Sequence, residues 1–306
     1  MNTSDTPDTS ASRPAPEAAP VRPGRKLGPI ADTVGSPHRA WLEPTRSSYL
    51  TSGRTLSDLS AHVHLAKSKL SELLRGVGHY PRWEVIHRLS TELHLPTWPL
   101  YRLWKGAALD IGKSRDWVQS STDGTTLATT HSGPPMEHGA LRTLLCKDYR
   151  RYALAFLPDD ACEAAVEDAF AILWLSFTEA LTSPDIRRYA WGVLRATVMA
   201  KTPHRDGRPE LEAAAFDTVF AVSPRTSEDE RLARLPLHTE LFIAISKLPD
   251  AQLDITVLRH LCGFTPERAS DLLGVPLATV LSGERHAKRA LEDAAILPPA
   301  TGGPVL

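Results

Sequence analysis

Six side chains on one stretch, Lys67, Ser68, Lys69, Ser71, Glu72 and Arg75, are of the types that reach base edges and phosphates when the start of their helix enters a major groove. The same six would equally make an ordinary solvated helix face. Their context is the segment TLSDLSAHVHLAKSKLSELLRG, which begins at Thr55. Thr55 can cap a helix with Asp58 three residues on, and Leu56, Leu59 and Val63 make one apolar face. After a break at His64, Ala66 to Arg75 forms a second helix with Leu70, Leu73 and Leu74 inward. A helix-turn-helix needs a small residue where its helices cross, a tight turn four residues later and an apolar residue six beyond that. Ser60, His64 and Leu70 hold those places. The turn asks for a left-handed backbone, which costs histidine more than glycine. Spacing alone does not choose between a DNA-reading face and a solvated one.

The same spacing returns near the C-terminus. In LPDAQLDITVLRHLCGFTPERASDLLGVPLATVLSGERHAKRALE, Thr265 and Pro266 cap a helix, and Ser270, Gly274 and Val280 repeat the four-then-six interval. Pro276 stands at the first turn of the second helix, where its missing N–H costs nothing. Charge is unevenly spread along the chain, whose formal net charge is -1. From Tyr49 to Lys105 eight bases face four acids, and from Pro184 to Arg208 six bases face two. Pro209 to Arg234 reverses this, with six acids and three arginines. Local basic patches are what phosphate binding requires.

The elements that must position these residues are helices. Residues 1–45, rich in Pro, Ser, Thr and Ala without periodicity, are expected to be disordered. Helical patterning over 46–110 gives a first domain, and the Gly/Ser/Thr/His-rich stretch 111–137 reads as a flexible linker. In the next domain, 138–208, Leu141, Leu144, Leu145, Tyr149, Tyr152 and Phe156 recur at helical spacing until Pro158. A helix over about Asp160 to Leu181 then buries Ala165, Val166, Ala169, Phe170, Leu173 and Trp174. Ser183 and Pro184 start a third helix that runs through Met199. An acidic linker, 209–236, ends in a capping box of Ser227 and Glu230. A helical domain over 237–295 and a disordered tail, 296–306, complete an all-α chain in which no sheet is expected.

The first domain, with TLSDLSAHVHLAKSKLSELLRG followed by GHYPRWEVIHRLSTEL and WPLYRLWKGA, resembles the Cro/repressor-like (XRE) helix-turn-helix domains over about 55 residues. That resemblance implies a five-helix DNA-binding domain with Ala66 to Arg75 as recognition helix. Trp83 and Trp104 are read as core. The rest resembles the short, two-domain sigma-70-type factors of the extracytoplasmic-function group over about 155 residues. HGALRTLLCKDYRRYALAFLPDDACEAAVEDAFAILW and SPDIRRYAWGVLRATVMAKTPHRDGR look like region 2, and the C-terminal segment looks like region 4. The likeness implies that Arg187, Arg188, Arg195 and Lys201 meet DNA phosphate and that Trp191 faces an unpaired base, against a plain reading of Trp191 as core. It places Glu167, Asp168 and Trp174 on a face that docks core RNA polymerase, against a reading as solvated residues and one buried tryptophan. In the region 4-like part it assigns Thr279, Ser282, Arg285, His286, Lys288 and Arg289 to DNA. Two positions depart from the family. Leu281 and Gly283 stand where basic residues are usual, and Glu240 to Glu292 carries six bases against seven acids.

No phosphate-cradling glycine loop, nucleophile elbow or metal-spaced Cys/His set stands in the sequence, so a non-enzymatic chain without cofactor or metal is expected. Cys146, Cys162 and Cys262 lie far apart in apolar helical contexts and read as core thiols of a reducing cytosol. No secretory signal or membrane-length apolar run is present, which makes the expected location cytoplasmic, at the nucleoid. The expected partners are double-stranded DNA and core RNA polymerase, with a homodimer left open. The reading is a transcription regulator with a sigma-like C-terminal part, acting in initiation. Its rival is a repressor-like regulator whose sigma-like part serves only as an interaction or dimerisation scaffold.

Overall fold

A computed structural model describes residues 27–123, 133–212 and 240–294. The first 26 residues, the middle of the 111–137 stretch, most of the acidic linker with Ser227 and Glu230, and the 296–306 tail lie outside the described residues. Within the described residues the chain is mostly helical. Its one strand pair is a two-residue antiparallel ladder, His204–Arg205 with Arg208–Pro209, closed by a turn at Asp206 and Gly207. The expectation of no sheet is corrected by that hairpin alone.

Six helices build the N-terminal unit: α1 (Ser36–Thr51), α2 (Leu56–Val63), α3 (Lys67–Leu74), α4 (Trp83–Glu92), α5 (Thr97–Asp110) and α6 (Arg115–Thr122). Thr55 caps α2 in a complete capping box with Asp58, as the sequence predicts. Two elements correct the sequence reading. Helix α1 occupies part of the stretch expected to be disordered. Pro37 in its first turn and Pro44 inside it hide the helix from pattern reading, since an interior proline removes a backbone hydrogen bond. Tertiary burial holds α1 instead: Trp41 and Leu42 are fully buried, and Arg46 Nη1 donates to the Leu74 carbonyl at 3.0 Å. Helix α6 lies within the expected linker, capped by Ser114, with the Trp117 ring 5.9 Å from that of Trp104. The unit's core is aromatic. Trp41 Nε1 donates to Tyr80 OH at 3.0 Å, Tyr80 OH donates to the Trp104 carbonyl at 2.7 Å, and Trp104 Nε1 donates to the Pro81 carbonyl at 3.0 Å. Trp83 and Trp104 are fully buried, in line with their reading as core.

The remainder comprises α7 (Met136–Ala153), α8 (Asp159–Leu175), α9 (Phe177–Thr182), α10 (Ile186–Lys201), the hairpin, α11 (residues 240–246), α12 (Asp250–Thr256), α13 (Pro266–Leu273) and α14 (Leu277–Asp293). Helix α12 runs into a π-helical turn, Val257–Leu261. The helix expected over Asp160 to Leu181 is divided at Ser176 into α8 and α9. Asp185, not Ser183, caps α10: its Oδ1 accepts from the backbone N–H groups of Arg187 and Arg188. Leu144, read as inward, is 49% exposed, because the buried stripe of α7 runs through Leu141, Leu145, Tyr149 and Tyr152 and leaves it on the flank.

Two features depart from separate tethered domains. One hydrophobic core runs from α7 to α14, so the two C-terminal bundles share their interior. Ala171 and Leu175 of α8 belong to the core of the N-terminal unit, which is therefore docked on α8. Cys162 and Cys262 are buried inside, where desolvation pushes their thiols up to about 11 and about 12, and Cys146 is half-buried.

Candidate nucleic-acid interface

Helices α2 and α3 meet at a short left-handed turn. His64 takes the left-handed conformation at φ 54°, ψ 42°, and its N–H bonds to the Ser60 carbonyl. Leu59, Val63, Leu70, Leu73 and Leu74 are buried and fix the two helices on each other and on α1 and α4. The outward face of α3 then follows from the 3.6-residue period. Lys67, Ser68 and Lys69 are exposed, whereas Ser71 and Glu72 are half-buried behind them. Lys69 Nζ sits 2.8 Å from Glu72 Oε2. This pair is solvent-screened, so Lys69 can exchange it for a phosphate at little cost. Arg75 lies beyond the last turn, half-buried against Gly28. The sequence places it on the recognition helix. The structure puts it at the C-terminal end of that helix, where its carbonyl accepts from the Ala31 N–H and helps hold the segment before α1.

The second corner is built alike and placed differently. Thr265 accepts from the Arg268 N–H, Gly274 turns at φ 62°, and Ser270 Oγ donates to the Val275 carbonyl at 2.6 Å. A side chain at Gly274 would start 2.4 Å from the backbone nitrogen of Arg188, so glycine is required twice there, for its φ and for close approach to α10. Helix α13 is thereby packed on α10, and Arg268 reaches Asp148 of α7 in an ion pair. On α14, Thr279, Arg285, His286, Lys288 and Arg289 are exposed and Ser282 is half-buried. Leu277 and Leu281 lie open among them, at 38% and 42% exposure. Gly283 faces inward: a Cβ there would lie 2.5 Å from Ile255 Cδ1 of α12. It is a helix-crossing position, and the basic residue usual there in the family that this part resembles would have no room.

The basic residues of α10 have partners inside the molecule. Arg187 Nη1 is 2.8 Å from Asp271 Oδ1 of α13. Arg195 Nε is 2.7 Å from Asp254 Oδ2 of α12, with Asp250 at 3.3 Å from its Nη2. Lys201 Nζ is 3.1 Å from Asp168 Oδ2 of α8. Arg188 is exposed. Trp191 is buried, and its Nε1 donates to Asp254 at 3.4 Å, which corrects its placement against an unpaired base. Tyr152 OH donates to the other Asp254 oxygen at 2.8 Å. Burial pushes the Asp254 carboxyl above its ordinary range, while Arg195 and the hydrogen bonds pull it back.

The three α8 residues assigned to polymerase are also occupied. Glu167 pairs with Arg142 of α7. Asp168 lies between Lys201 and Arg102 of α5, whose Nε donates to Asp168 Oδ1 at 3.0 Å. The half-buried Trp174 ring is 6.2 Å from that of Trp98 on α5 and 5.8 Å from His138. The structure thus brings Asp168 and Lys201 together, and gathers Trp191 and Arg195 on Asp254. Asp254, Arg102 and Arg142 were missed by the sequence reading. Each is one charge among others on its helix, and only the tertiary fold gives it a partner.

No family model, curated protein or solved structure matches the chain. Among the described residues no helix is long and apolar enough to cross a membrane.

Proposed function

We propose that the chain is a sequence-specific DNA-binding transcription regulator, similar to the Cro/repressor-like proteins, that reads double-stranded DNA through α3. Its sigma-like remainder acts in transcription initiation by contact with core RNA polymerase, and no step of its action is catalytic. The observation that carries the reading is the exposed Lys67-Ser68-Lys69 edge of α3, held outward by a left-handed turn at His64. A second reading, in which the sigma-like part is an interaction scaffold, is favoured by the pairing of Arg195 and Lys201 with carboxylates and by the burial of Trp191.

Selection of sites from a random duplex library with the full chain, followed by titration, tests α3. Lys67→Glu with Lys69→Glu is expected to weaken binding about 100-fold, the loss of two contacts at roughly 1–3 kcal/mol each. Unchanged footprints in this double variant would remove α3 as the reading element. Run-off transcription on the selected sites, with core polymerase and no other sigma factor, separates the two readings. A specific transcript supports a role in initiation, and its absence with intact footprints leaves the scaffold.

A further inference from the structure

Helix α5 of the N-terminal unit lies along α8, and it meets the same face that carries Asp168 and Trp174. Ala171 and Leu175, one and two turns further along α8, are sealed into the N-terminal core. Anything else that is to dock on this face must first displace α5.

The rim of the contact has the physical character of one that can be undone, although Ala171 and Leu175 at its centre are buried. Its charged part is not fully sealed: the side chains of Arg102 and Asp168 keep 31% and 21% of their surface. Asp168 holds a second cation, Lys201, so loss of Arg102 does not strand a carboxylate. The aromatic part is peripheral, with Trp98 47% exposed. Beside the contact, a cleft of about 800 Å3 separates α1 and α5 from α10, so the two units are not packed together across their whole facing surface. Gly106 of α5 and Gly192 of α10 face this cleft, and a Cβ on either would meet nothing within 4 Å.

We propose that the N-terminal helix-turn-helix unit is a releasable cap that covers the Asp168–Trp174 face of α8 through Arg102 and Trp98 and so withholds it from polymerase. The inference rests on the reading of that face as polymerase-docking. Covering a site lowers its apparent affinity by the fraction of molecules in which it is open. A chain that is open one time in ten therefore binds about tenfold more weakly than one held open.

The test uses the full chain, with hydrogen exchange at residues 168–175 to report opening and biolayer interferometry to report binding to core RNA polymerase. Arg102→Glu sets a like charge against Asp168, Trp98→Ala removes the aromatic contact without adding charge, and Lys105→Glu controls for charge reversal at an exposed position of α5. The cap requires that Arg102→Glu or Trp98→Ala speeds exchange and tightens polymerase binding about tenfold, while Lys105→Glu does neither. Faster exchange with polymerase binding no tighter than that of the unaltered chain would overturn the cap and leave the docking face standing. Slow exchange in both variants would overturn it as well, since the unit would then be held by other contacts. No polymerase binding by any protein, with the face demonstrably open, would overturn the polymerase reading itself and the cap with it.

Discussion

Gly283 shows how one residue can carry two meanings. By resemblance it is a missing base-reading arginine; in the fold it is the contact point of α14 with α12, 2.5 Å in prospect from Ile255 Cδ1. An interior helical glycine costs about 1 kcal/mol against alanine, so the close approach offsets a real propensity deficit. Gly283→Ala asks only that the tip of Ile255 move and regains that propensity, leaving stability nearly unchanged. Gly283→Arg forces a long side chain into the crossing and is expected to cost about 1–3 kcal/mol, the range for overpacked cores. Thermal unfolding and DNA titration of the two variants check this. If Gly283→Arg kept full stability and gained DNA affinity, the inward assignment of this face of α14 would be wrong. The nearby basic side chains, Arg285, Lys288 and Arg289, remain exposed and are unaffected by that argument.

At the scale of elements, the α2–α3 corner is where local sequence and structure agree most closely, and His64 is its one point of friction. A left-handed non-glycine residue costs roughly 1–2 kcal/mol, less for short polar side chains that bond locally. His64 is exposed, and the contact it makes in the turn comes from its backbone N–H. His64→Gly is therefore expected to raise stability by about 0.5–1 kcal/mol in urea unfolding and to leave α3 in place, with DNA affinity unchanged. A loss of stability would mean that the imidazole itself supports the turn. This corner was legible because everything that builds it lies within twenty-odd residues: a capping box, two apolar stripes and a fixed interval between small, turn and apolar positions. The second corner was legible for the same reason, down to the Thr265 cap and the Gly274 turn. Helix α1 was not, because two prolines mask its period and its stability comes from the burial of Trp41 and Leu42 against distant partners. Helix α6 was hidden by a sparse pattern, with Trp117 and Val118 as its few apolar residues. The sites assigned to α8 and α10 were least legible of all. Residue types predict attraction to phosphate, but a carboxylate 59 or 66 positions away, as for Arg195 and Arg102, competes for the same charge.

For the whole molecule, the decisive feature is Asp254, which ties three helices of one continuous core. Its oxygens accept from Tyr152 of α7 and from Arg195 and Trp191 of α10, so the residue belongs to α12 yet holds both of those helices. Only 5% of its side chain and 22% of that of Arg195 are accessible, which makes this a largely desolvated pair. Breaking such a pair from one side leaves the other charge without compensation and costs about 3–5 kcal/mol, whereas replacing both partners by apolar groups of similar volume is often neutral. Asp254→Ala is accordingly expected to lower the unfolding free energy by about 3 kcal/mol or more, and Asp254→Leu with Arg195→Met to recover only part of that loss, since Tyr152 OH and Trp191 Nε1 stay buried without their acceptor. Urea unfolding followed by both tryptophan fluorescence and far-UV circular dichroism measures it. Because the core runs unbroken from α7 to α14, the loss should appear as an earlier transition of that whole part. A cost below about 1 kcal/mol for the single change would place the pair with ordinary surface ion pairs and leave hydrophobic contact as the tie between the bundles. A separate early transition of residues 240–294 alone would show instead that the two bundles unfold independently despite their shared core. The pairing also sets a condition on any role for Arg195 in holding DNA. Phosphate must take it from a buried carboxylate, so such contact entails leaving Asp254 to Tyr152 and Trp191 alone.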